Sequence, residues 1–248
     1  MLLTLPQEIL NDVVAYLRGE ERALQSLSLV DRRLTEECRS HLFSSIRIDS
    51  ADKLQRWCDA ISPGKHGPSR YVRFLDISGD PPLCTPDCLL VHLVHLRSFS
   101  KLESLRIRPL HLIKFPNQYL ARCFGHFPTV RSIHAEITGS PWSIFNFLAL
   151  FPLLETTVIS SQGVWRKDPD SDFPNLACRG DLVLTYGGID NFLSSVTRPT
   201  TCYRRFRIGM GIVDDFSALK LFFDTCSGSL ESVKFINTFF RECFRCPL

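Results

Sequence analysis

With 248 residues, 44% of them hydrophobic and 22% charged, the chain has the composition of a folded protein and not of a disordered one. The net charge is +3; the first 50 residues carry six Lys/Arg against eight Asp/Glu, which leaves +5 on the remaining 198, an asymmetry too mild to argue for nucleic acid. Met1-Leu2-Leu3 is followed by Glu8 and Asp12 without a basic leader, and the apolar run 88–96 is interrupted by His92 and His95, so neither a signal peptide nor a membrane span is expected. The expectation is a cytoplasmic or nuclear protein whose ten cysteines are reduced thiols.

The first element gathers around Leu5-Pro6-Gln7-Glu8-Ile9-Leu10. Pro6 fixes its own φ near helical values and needs no amide partner in a first turn, and Thr4 and Gln7 have capping-box spacing, so a helix is predicted to start here. Ile9, Leu10, Val13, Val14 and Leu17 make a broad apolar stripe at helical spacing, and Arg18-Gly19 ends the helix. A second short helix is predicted over 21–27, with Leu24 and Leu27 inward. After Leu29-Val30, Asp31 is placed to cap a third helix, in which Leu34, Cys38 and Leu42 lie four apart on one face. Three short helices enclose little core. Yet this stretch carries more apolar side chains than such a core needs. That surplus points to a cover, either the rest of the chain or another protein.

Leu5-Pro6-x-Glu8-Ile9-Leu10, Leu17, Ala23-Leu24, Leu27, Leu29-Val30, Arg32-Arg33-Leu34 and Leu42-Phe43-x-x-Ile46 follow one another in an order that resembles an F-box over roughly residues 3–46. Two positions depart from the family pattern: Leu34 stands where a tryptophan is common, and Leu42-Phe43 where a Leu-Trp pair is common. Both keep bulk and apolarity. The resemblance implies a three-helix module that docks on the Skp adaptor of a cullin–RING ubiquitin ligase. It assigns the adaptor contact to Leu5, Pro6, Ile9, Leu10, Val13, Leu27 and Val30.

Residues 43–48 alternate in a way that suits a short strand. Ser50 is placed to cap a helix over 51–61 with Leu54, Trp57, Cys58 and Ile61 on one face, and 62–70, holding Pro63-Gly64 and Gly67-Pro68, reads as a loop. From Tyr71 an apolar-x-x-apolar-x-apolar pattern repeats, with its second apolar position at 75, 105, 133, 157, 182, 206 and 233. Thr157 weakens one copy, and the copy at Leu182 keeps only its last two apolar positions. Between the strands, helical returns are predicted over 85–96, 117–127, 143–151, 189–196 and 214–226, and a loop over 160–178. Phe-Pro recurs before three strands, where proline stops the return and sets the turn. The spacing resembles degenerate leucine-rich repeats over 71–236. Such units bury their apolar faces only by stacking with strands parallel.

Cys84, Cys88, His92 and His95 are metal-capable, but on one straight helix they form a line and cannot converge on a tetrahedral ion. Cys243-Phe244-Arg245-Cys246 is a lone pair without a second pair. No phosphate loop, nucleophile elbow or His-Glu-x-x-His is present. The sequence therefore predicts an α/β protein without metal or cofactor and not itself an enzyme. It is organised as an F-box-like module over 1–48, a linker helix and loop over 49–70, and an irregular leucine-rich-repeat solenoid over 71–248. Phe239-Phe240 and Phe244 follow the last repeat without a polar cap, so the solenoid is expected to stop short of completion.

The expected function is substrate recognition for a Skp–cullin–F-box ligase, with an unknown protein target and neither nucleic acid nor membrane as partner. The alternative is a leucine-rich-repeat scaffold without a ligase. Strand side chains alternate, so the residues between the inward apolar positions share the other face. Arg106, Arg108, His134, Arg205, Arg207 and Lys234 collect there as the expected target site, against Asp76 and Glu136. A solvated strand face with no ligand is the other reading of the same positions.

Overall fold

A computed structural model describes residues 5–60, 67–78, 99–112, 117–161, 179–185, 193, 202–209, 212–213, 216–236 and 239–240. The segments carrying Thr4, Cys84, Cys88, His92, His95, Cys243 and Cys246, and most of the predicted loop 160–178, lie outside these residues.

Three helices come first: α1 (Gln7–Tyr16), α2 (Glu21–Val30) and α3 (Arg32–Leu42). Pro6 sits at the N-cap of α1, one position ahead of the helix, and Gly19 takes φ +101° beyond its end. Asp31 caps α3 as expected: its carboxylate accepts from the Arg33 amide at 2.9 Å and pairs with the Arg33 guanidinium at 2.9 Å. The hydrogen bonds to Arg33 hold that carboxyl below its ordinary range. The second helix is longer than its apolar pattern predicted, because Ser28, Leu29 and Val30 continue the turn with little burial. Both α1 and α2 pack on α3. Leu10, Val14, Leu24, Leu34 and Cys38 form a small core of their own, with Leu5, Leu17, Leu27 and Leu42 at its rim.

The rest is one all-parallel sheet of eight strands with helices over one face. In chain order its elements are β1 (Ser45–Ile48), α4 (Ala51–Ala60), a 3-10 turn (Pro68–Tyr71), β2 (Phe74–Ser78), β3 (Ser104–His111), α5 (Asn117–Phe124) and β4 (Ser132–Thr138). Then follow α6 (Pro141–Leu148), β5 (Thr156–Ser161), β6 (Arg179–Thr185), β7 (Cys202–Gly209), β8 (Ile212–Val213), α7 (Phe216–Cys226), β9 (Ser232–Ile236) and β10 (Phe239–Phe240). The sheet runs β1-β2-β3-β4-β5-β6-β7-β9; β8 and β10 pair separately. Strands of the large sheet lie in chain order, so each pairs with the one before it.

The register places Ile46, Leu75, Leu105, Ile133, Thr157, Leu182, Phe206 and Val233 side by side. From Leu75 on, these are the repeating second apolar positions of the sequence; β1 adds one more strand at the N-terminal edge. From Ile46 to Phe206 that row is buried on the core side, joined by Ile48, Ile77, Ile107, Ala135, Ile159, Leu184 and Ile208, while Val233 on the last strand of the sheet is 41% exposed. Helices α4 to α7 close that core through Leu54, Leu120, Phe124, Ile144, Phe147 and Phe222. Phe147 stacks edge-on against both Phe124 and Phe151, with centroids 5.2 and 5.3 Å apart.

Two details fix the strand starts. Arg73, Glu103, Arg131 and Glu155 precede four successive strands; the Arg73 amide donates to the Ser44 carbonyl, and each of the other three donates to the carbonyl of the one before. Their side chains pair as Arg73–Glu103 and Arg131–Glu155, at 3.9 and 2.5 Å. At the next step stands Gly180, with φ +98°, where an added Cβ would lie 2.2 Å from the Glu155 carbonyl oxygen. The register shifts at the same point. Gly180→Ala therefore combines left-handed strain with a backbone clash. It is expected to cost about 1–3 kcal/mol, read as a lower midpoint in chemical denaturation. Gly19→Ala, at φ +101° with open space around it, is expected to cost less.

Candidate functional site

Two surfaces are left for partners. The first is apolar and lies on the helical unit. Ile9, Val13 and Tyr16 recur along one side of α1, and Leu29 and Val30 end α2; Leu29 is 88% exposed, Val30 65% and Ile9 46%. Large aliphatic side chains this exposed on a unit with so small a core lose hydrophobic stabilisation that a partner would restore. Of the residues assigned to a partner contact from the sequence, Pro6, Ile9, Val13 and Val30 are exposed, and Leu5 and Leu27 are half-buried at the rim. Leu10 is fully buried in the small core and contributes packing from within. Tyr16 and Leu29, not among the assigned residues, are exposed beside them; their helical positions fall off the stripe that marks the core, and their exposure adds them to this surface.

The helical unit is tied to the sheet. Strand β1 follows α3 directly, and Arg70 in the 3-10 turn pairs with Glu36 of α3 at 2.6 Å. The Arg70 guanidinium also lies 4.7 Å over the Tyr71 ring.

The second surface is the sheet face turned away from the core. Here the register builds one row across all eight strands. It begins Arg47, Asp76, Arg106, His134 and continues Val158, Val183, Arg207, Lys234. Arg106, Arg108 and His134 are half-buried at one end; Arg205, Arg207 and Lys234 are exposed at the other. All six residues expected to bind a target therefore share a face, in two groups separated by the apolar pair Val158 and Val183.

The charges differ in how far they are already neutralised. Asp76 is nearly buried and lies 3.6 Å from Arg108. Arg205 Nε donates to Asp181 Oδ1 at 2.8 Å. Asp181 escaped the sequence reading because its repeat lacks the first apolar position. Among the described residues, Arg106, Arg207 and Lys234 have no carboxylate within ion-pair distance. The Nε atoms of Arg106 and Arg108, Asp76 Oδ1 and Ser78 Oγ are buried without hydrogen-bond partners, an arrangement that is costly unless a ligand supplies them.

Burial lowers the pKa of His134, and the adjacent Arg106 and Arg108 lower it further, with Asp76 opposing. The folded chain thus binds this proton less readily than the unfolded one. The resulting stabilisation is complete above about pH 6.5 and is lost as pH falls through the depressed value. His134→Gln is expected to flatten the acid side of the stability profile relative to the parent chain, measured by denaturant midpoints across pH.

Among the described residues no helix is long and apolar enough to cross a membrane, and no three His, Cys, Asp or Glu side chains are grouped to hold a metal ion. Cys38 and Cys123 are buried thiols; burial pushes Cys123 up to about 11. No family model matches the chain, and no curated protein matches it.

Proposed function

We propose that the chain is an F-box-type substrate receptor, in which α1–α3 dock on a Skp adaptor and the parallel sheet, as a leucine-rich-repeat solenoid, presents a target to a cullin–RING ligase. The observation that carries this reading is the outward set Ile9, Val13, Tyr16, Leu29 and Val30 on a three-helix unit with its own core. An apolar interface needs such side chains to be solvent-facing in the free protein and held on rigid elements. The in-register strands, one per sequence repeat, support the solenoid part. The chain carries no chemistry of its own in this scheme. It raises the effective concentration of a target at the ligase, with β1 running into the sheet directly after α3 and an exposed Arg70–Glu36 bridge linking the helical unit to the 3-10 turn before β2. Affinity purification of the full chain from cells tests it. Adaptor and cullin are expected together in the eluate; recovery of other partners without either favours a free-standing repeat scaffold.

A further inference from the structure

Resting on that reading of the sheet as the target surface, we infer that its occupant is an extended acidic protein segment lying across the strands, with two carboxylates about six residues apart and small apolar residues between them. The spacing comes from the register. Arg106 on β3 and Arg207 on β7 occupy the same row, separated by four strand steps. At about 4.8 Å per step they stand roughly 19 Å apart, and an extended chain rising about 3.3 Å per residue covers that in about six residues. Between them the row holds His134 beside Arg106 and then Val158 and Val183; the two valines, half-buried, offer no polar partner and suit small apolar side chains.

The charge count selects carboxylate over phosphate. On β3 itself Arg106 is the unneutralised cation among the described residues, because Arg108 already faces Asp76; Arg47 stands two strands away on the far side of Asp76, and Glu136 lies on the neighbouring strand. One guanidinium fork matches one carboxylate. A phosphate dianion would bring a second charge toward the nearly buried Asp76. At the far end Arg207 and Lys234 lie side by side, while Arg205 is held by Asp181. The acidic segment thus meets Arg106 at its first carboxylate, with Arg47 beyond Asp76, and the adjacent pair Arg207 and Lys234 at its second.

The experiment is fluorescence anisotropy with the full chain and labelled peptides, alongside adaptor binding scored on the same preparation. The probe carries two aspartates about six residues apart with alanine and valine between them. It is expected to bind at least about tenfold more tightly than the same composition with the aspartates roughly two residues apart, and more weakly as salt rises past about 0.1 M. Arg106→Gln, at a half-buried position, and Arg207→Gln, at an exposed one, are each expected to remove that advantage while the chain still unfolds cooperatively. Phosphoserine in place of both aspartates is expected to bind no more tightly. Equal binding of the two spacings, insensitivity to either substitution, or a clear preference for phosphoserine overturns the inference. If no peptide binds while the adaptor does, the inference falls and the docking reading stands.

Discussion

On the docking reading proposed above, Ile9→Asp combined with Val30→Asp is expected to leave the helices folded and to abolish capture of the Skp adaptor. Val30 is 65% exposed and Ile9 46%, and neither belongs to the small core, so the folded chain gains less from them than from Leu10 or Val14. At the centre of an interface, truncating such an anchor costs about 2–4 kcal/mol, a loss of roughly 30- to 1,000-fold in affinity; burying an unpaired carboxylate adds to it. Leu10→Ala is the contrasting variant. Leu10 is buried among Val14, Leu24, Leu34 and Cys38, and its truncation is expected to cost about 2–5 kcal/mol, loosening the helical unit from within. If adaptor capture fails in Leu10→Ala only in proportion to lost helix, while the double aspartate variant fails with its helices intact, fold and contact are separated. An adaptor affinity within about twofold of the parent in the aspartate variant would place the docking surface elsewhere.

Phe147→Ala is expected to be among the most destabilising single substitutions in the larger core. Its ring bridges Phe124 of α5 and Phe151 beyond α6, and it is fully buried. Removing a buried phenylalanine side chain costs about 3–5 kcal/mol, more where neighbours cannot collapse into the space. Both partner rings are themselves buried in the same core. In a chain of this size the thermal midpoint should fall by roughly 10 °C or more, read by calorimetry. A fall under about 3 °C would mean that these helices pack more loosely on the sheet than the ring geometry indicates.

Much of the sheet was legible because strand burial has a period of two and the pattern recurs. Even the weak copies, Thr157 and Leu182, stand in the row with Leu105 and Phe206. Thr157 is buried there despite its hydroxyl, since its place is fixed by neighbours on both sides. Strand β1 falls within the alternating stretch 43–48 that suited a short strand, although Ile46 and Ile48 are only two alternations; pairing with β2 fixes it. The end of α2 was missed for a physical reason. Apolar periodicity reports burial, and Leu29 and Val30 continue the helix without being buried.

For the polar face, alternation located Arg106, Arg207 and Lys234, but no periodicity reveals which charges are already paired. Asp181 engages Arg205 from a residue 24 positions away, and Asp76 engages Arg108 across β2 and β3. These pairings depend on register, which a local pattern does not contain.

Titration of purified Skp adaptor into the full chain by calorimetry is the decisive measurement. A one-to-one complex with a negative heat-capacity change, the mark of apolar burial, and its loss in the Ile9→Asp, Val30→Asp variant is the result expected of an F-box-type receptor. A folded chain that gives no binding heat at several temperatures, or that binds equally well with both aspartates in place, would contradict it.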